Sequence, residues 1–124
     1  NRDDLLARQD KGFWPNSFRA ARFIPAVEYI NANRHRYSLM QKIYHYMNDY
    51  DVVIIPGAAG TSVAITNLTG NPMISLPIGL GSNGKPVSIT LVGKMYHEAA
   101  ILAVAEKIQE LTGAHLLKPP IFIQ

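Results

Sequence analysis

Three short patterns in this chain of 124 residues carry side chains that could do chemistry. Ser82 and Lys85 stand at Ser-x-x-Lys spacing, which serves acyl-transfer enzymes when a helical turn brings the ammonium onto the hydroxyl. Gly79-Leu80-Gly81-Ser82-Asn83-Gly84 fits the glycine spacing of a dinucleotide site, which needs a helix directly after the glycines to hold pyrophosphate. Lys85-Pro86 and a strand-like apolar run follow instead, so both patterns read as a reverse turn. Arg34-His35-Arg36 with Tyr29, Tyr37, Tyr44 and Tyr46 could offer a basic, aromatic surface to nucleic acid. Consecutive helical residues point about 100° apart, however, which spreads these groups around a helix and makes a solvated face the plainer reading. His35, His45, His97 and His115 show no metal-site spacing, and the absence of cysteine removes a thiolate ligand, a disulfide and a cysteine nucleophile. No complete catalytic constellation assembles from these residues, and no metal, cofactor or nucleic-acid partner is expected.

The elements that would position any site centre on residues 51 to 93. Val52-Val53-Ile54-Ile55, Met73 to Ile78 and Val87 to Val92 are short, β-branched and bounded by Pro, Gly or Asn, as strands are. Val52 to Ile55 lacks polar alternation, which predicts a strand covered on both faces. Pro77 places the second strand near an edge or bulge, and Asn83-Gly84 predicts a tight turn joining it antiparallel to the third. Before the strands, Ala26, Ile30, Tyr37, Met40, Tyr44 and Met47 recur at helical spacing and predict a long amphipathic helix from Pro25 to Asn48. After them, Ile101, Leu102, Ala105, Ile108 and Leu111 predict a second helix from His97 to Thr112, ended by Gly113. Between the first two strands, residues 57 to 72 are small and polar; a short helical turn near Thr66 to Thr69 is expected, capped by Thr66 or Asn67 and ended by Gly70. A short helix over Asp3 to Gln9 and a turn carrying Phe13 and Trp14 open the chain, the two rings needing protein elsewhere to pack on. Pro119-Pro120 and Ile121-Phe122-Ile123 close it.

Composition is that of one globular α/β domain, 48% hydrophobic and 17% charged, with no run of the roughly 20 apolar residues that cross a bilayer. No membrane partner is expected, and a cytoplasmic setting is the default. Residues 1 to 50 carry eight Lys/Arg against five Asp/Glu, and residues 51 to 124 carry four against four, so the basic bias sits in the first helical region.

The order of segments from Phe23 to Pro120 resembles the C-terminal part of the amidase signature family, serine amidohydrolases related to the A subunit of glutamyl-tRNA amidotransferase. Tyr50-Asp51-Val52-Val53-Ile54-Ile55-Pro56 is similar to the family's strand before a pocket loop. Asn67-Leu68-Thr69-Gly70-Asn71-Pro72-Met73-Ile74-Ser75-Leu76-Pro77-Ile78-Gly79 is similar to its Asn-Leu-x-Gly-x-Pro-x-Ile-Ser-x-Pro-x-Gly segment, the most specific of the pieces. Gly84-Lys85-Pro86-Val87-Ser88-Ile89 to Gly93 is similar to the next strand, with Thr90 where the family often has Gln, and Glu98, Ile101-Leu102 and Ala105 are similar to the closing helix.

The resemblance implies amide hydrolysis by a serine activated through a second serine and a lysine, with the oxyanion held by backbone N–H groups. Those groups lie in a Gly/Ser-rich N-terminal region of the family, and nothing here matches it, so no catalytic residue is assigned. Asn1 rather than Met at the first position suggests a cut-out segment, a processed product or a numbered fragment. The expectation is therefore a single segment, residues 1–124, forming the C-terminal portion of an amidase domain and inactive alone. Its fold is a partial mixed α/β sheet of about three strands packed with a long N-terminal helix and a C-terminal helix. The resemblance places Gly57, Ala58, Ala59, Thr61 and Thr66 on the wall of the substrate pocket; small residues serving close backbone packing are the other reading of the same positions. Expected partners are a small-molecule amide in the full-length enzyme and the N-terminal amidase region, with self-association when the segment stands alone. A standalone α/β domain that binds a ligand or a protein without chemistry is the competing reading.

Overall fold

The structure, a computed structural model, describes Asp10, residues 12–57 and residues 60–118. The helix expected over residues 3–9, the Pro119-Pro120 pair and the apolar tail fall outside the described residues. The chain divides into two compact units, Asn1–His35 and Arg36–Gln124.

In the first unit, helix α1 spans Trp14–Ala21 where the sequence reading expects only a turn. Pro15 lies in the first helical turn, where a missing N–H costs nothing, and Phe13 precedes it in extended conformation. Trp14 and Phe18, four residues apart, stack with ring centroids 5.8 Å apart. Both rings remain largely exposed. Helix α2, Ala26–Met47, falls within one residue of the predicted span at each end, and the division between the units lies inside it. Its predicted apolar stripe is mostly uncovered: Ile30, Tyr37 and Tyr44 are exposed, while Met47 at the last turn is buried.

The second unit is built on three strands, β1 (Val52–Pro56), β2 (Met73–Leu80) and β3 (Pro86–Gly93), in the order β1-β3-β2. Both pairings are antiparallel, so the predicted strands are present and the last in sequence lies in the middle. Helix α3 (Gly60–Thr69) joins β1 to β2, and helix α4 (Glu98–Thr112) follows β3. Helix α3 is a full ten residues where one turn is expected. Thr66 lies inside it and caps nothing, because its hydroxyl bonds back to the Val63 carbonyl at 3.0 Å. Gly70 ends the helix as predicted, at φ +83, where a side chain would be strained. Gly113 ends α4 in the same way, its N–H on the Gln109 carbonyl at 2.8 Å.

Register assigns the faces of the sheet. Ile54 lies opposite Leu91 and Leu91 opposite Ile74, so these residues share one face with Val52, Ile89 and Leu76. Helix α4 seals this face: Leu76, Leu91, Ile101 and Ala105 form the buried core, with Val52, Ile74, Ile89 and Ile108 packed around it. Gly93 permits the approach of α4, since a Cβ there would stand 2.7 Å from Ile101 Cγ2. Val53, Ile55, Thr90 and Val92 look to the other face, which meets α3 and the end of α2. A strand covered on both faces is expected at Val52 to Ile55, but β1 is an edge strand and Ile54 is 58% exposed. Nothing among the described residues lies beside it on the outer edge. The irregularity in the β2–β3 register falls between Pro77 and Gly79, where the proline predicted it.

Candidate functional site

The loop that the resemblance singles out begins where β1 stops. Pro56 ends the strand, and Gly57 turns the chain at φ +44 while its N–H still donates to the Ser88 carbonyl at 3.2 Å. Ala58 and Ala59 lie outside the described residues. Thr61 is exposed in the first turn of α3. Thr66 is buried, with 7% of its surface accessible, and its hydroxyl also contacts Met73 Sδ at 3.1 Å. Helix α3 therefore presents two kinds of threonine, one facing water and one facing the sheet.

Beside α3 lies a cleft of about 180 Å³. Ser62, Ile65 and Thr66 of α3 form one side, Val53 and Ile55 of β1 the floor, and Ile43 and Tyr46 of α2 much of the remaining wall. Two hydroxyls, a phenol and the Asn71 amide interrupt an otherwise apolar lining. The structure brings Thr66, but not Thr61, to this cleft. Ser62 and Ile65, which the sequence reading did not select, line it because α3 is longer than expected and turns its inner positions toward β1. The polar context of residues 57 to 72 concealed that: Val63, Ile65 and Leu68 are the large apolar positions of a short helix, too few to show a period.

A second cleft, about 560 Å³, opens at the other end of the sheet, where β3 runs out into Lys94 and Met95. A polar network builds its floor. The Thr69 hydroxyl stands 2.7 Å from Asn71 Oδ1, and Asn71 Nδ2 donates to the Gly93 carbonyl at 2.9 Å. Thr69 is 2% exposed, so these bonds satisfy a group that water cannot reach. Arg36, which belongs to the basic stretch weighed for nucleic acid, instead donates from Nε to the Leu68 carbonyl at 2.6 Å. That bond caps the C-terminal end of α3, where a positive charge is favoured. Ser82 and Lys85 sit in the hairpin turn, with Gly84 N–H on the Gly81 carbonyl at 2.9 Å and Lys85 N–H on Asn83 Oδ1 at 3.1 Å. A reverse turn therefore replaces the helix that either motif would need.

The fold is that of amidases. An amidase family protein from Bacillus anthracis matches with a TM-score of 0.67 at 20% identity, covering 79% of this chain and 19% of that one. The 6-aminohexanoate cyclic dimer hydrolase complexed with substrate matches with a TM-score of 0.66 at 18% identity, covering 81% and 27%. Among curated proteins, the A subunit of the glutamyl-tRNA(Gln) amidotransferase of Brevibacillus brevis is 27% identical over 73% of this chain and 22% of its own length. The fatty acid amide hydrolase of Arabidopsis thaliana is 28% identical over 86% of this chain and 21% of its own. These relatives are members of the amidase signature family, so the resemblance read from the four segments is borne out. No family model matches the chain. The chain spans between a fifth and a quarter of the length of these two curated relatives.

Proposed function

We propose that this chain is the C-terminal part of a serine amidohydrolase that cleaves carboxamide C–N bonds, working in the cytoplasm. It supplies sheet core and one wall of the substrate pocket, while the nucleophilic serine, its partner serine and the lysine stand on the N-terminal amidase region. The chain alone is inactive and associates through its uncovered apolar surface, with itself or with that region.

The observation that carries this reading is the apolar cleft beside α3, lined by Thr66 but not by Gly57, in a fold shared with amidases. Its lining of Val53, Ile55 and Ile65 with the hydroxyls of Ser62 and Thr66 suits an uncharged, apolar acyl group. Among the described residues no charged side chain lines it, which disfavours a glutamine-type substrate whose ammonium and carboxylate would need partners. A relative named for fatty acid amides fits the same preference.

The test is to produce the chain joined to its upstream coding sequence and to assay it on a panel of amides. Hydrolysis is expected for amides of small apolar acids, and Ser62→Leu should shift the panel toward smaller acyl groups. Activity of the 124-residue chain by itself would overturn the division of labour. A longer product that hydrolyses no amide would overturn the amidase reading.

A further inference from the structure

The larger cleft adjoins the cleft beside α3, sharing Met47 and Asn71 with it, and extends from there past the end of β3. Val52, at the start of β1, pairs with Gly93, whereas Gly57 follows the far end of the same strand. At a strand rise of about 3.3 Å per residue, Gly57 stands roughly 16 Å from that end of the sheet. The cleft of about 560 Å³ is within the range of small-molecule sites, roughly 300–1,000 Å³.

Its polar lining is rich in amides and imidazoles. Gln41, Asn48, His45, His97 and Lys94 can each donate a hydrogen bond, the amides can also accept one, and among the described residues no carboxylate lines the cleft. Lys94 supplies the charge. Its ammonium is held 3.4 Å from the Asn48 carbonyl and 3.6 Å from Asp51 Oδ1, with the lysine side chain 29% exposed and the aspartate 91% exposed. So exposed a partner holds Lys94 weakly and can be displaced by a bound anion. The remaining surface is soft and apolar: Met40, Met47 and Met95 with the Tyr44 ring. Thioethers make favourable contacts with aromatic rings. One ammonium with amide donors beside it matches a monoanion better than a phosphate.

We infer that this cleft binds a small monocarboxylate with an aromatic body, the carboxylate on Lys94 with amide donors beside it and the ring among the methionines. The site rests on the geometry of residues 40 to 48 and 69 to 97 and does not depend on the amidase reading.

The probe is 3-phenylpropionate, titrated into the 124-residue chain and followed by backbone amide shifts, with its neutral isostere 3-phenylpropanamide and inorganic phosphate in parallel. The carboxylate should bind at least tenfold tighter than the amide and than phosphate, shifting the amides of Lys94, Met95 and His97. Lys94→Met, which keeps the aliphatic stem, should abolish the preference for the carboxylate over the amide. Because Lys94 also ties the α2–β1 connection to the end of β3, a second variant at an exposed lining position, Gln41→Glu, guards against misfolding. It should weaken the carboxylate at least tenfold and leave the amide unchanged. Equal affinity for acid and amide, phosphate binding as tight as the carboxylate, shifts confined to residues 60 to 66, or no effect of either variant would each overturn the inference.

Discussion

The two faces of the sheet are made differently. The face under α4 is aliphatic, and Leu76 and Leu91 are almost wholly buried there against Ile101 and Ala105. The opposite face carries threonines: Thr66 and Thr69 bond back into their own helix, while Thr90, with no accessible surface, has no hydrogen-bond partner for its hydroxyl among the described residues. Both clefts open on the α3 side and none of the core cluster lines them. One face supplies stability, and the other accepts polar groups and space that a purely structural layer would not keep.

Substitutions can break this contrast. Leu91→Ala should cost about 2–5 kcal/mol, because it empties the centre of the sealed face; urea unfolding followed by circular dichroism should show it as a lower midpoint at unchanged slope. Gly93→Ala should cost about 1–3 kcal/mol through overpacking against Ile101, read from the same transition. On the other face the sign should reverse. Thr90→Val removes an unpaired buried hydroxyl and should raise stability by about 1 kcal/mol, and a loss of that size would mean that the hydroxyl has a partner. Asp51→Asn should change stability by less than about 0.5 kcal/mol, as befits an ion pair whose acid is exposed. A large loss there would assign the Asp51–Lys94 pair a structural task.

The sealed face was also the legible one. Val52, Ile89, Leu91 and Ile101 announce themselves by period and by β-branched composition, and Asn83-Gly84 and Gly113 mark their turns by conformational need. The α3 side was less legible because its architecture is built from residues that read as loop. Thr66 and Thr69 satisfy themselves within a helix, so the polarity that predicts exposure conceals burial. The bond from Asn71 to the Gly93 carbonyl and the bond from Arg36 to the Leu68 carbonyl join positions far apart in sequence, and no local pattern announces such pairs. The exposure of Ile54 has the opposite origin: its composition predicts cover, and the cover is not among the described residues.

The sheet order carries a consequence for how the chain acquires its shape. The β2–β3 hairpin closes across a turn of five residues, on the microsecond scale typical of hairpins. Residue 52 meets residue 93 only by closing a loop of about forty residues, which costs more entropy and time. β1 should therefore be the last strand to join, docking onto a β3 that already holds its other neighbour. In pulsed hydrogen exchange the amides that bond β3 to β2 should gain protection before those that bond it to β1. Protection arriving first at β1 would show that the middle strand recruits its partners in the other order.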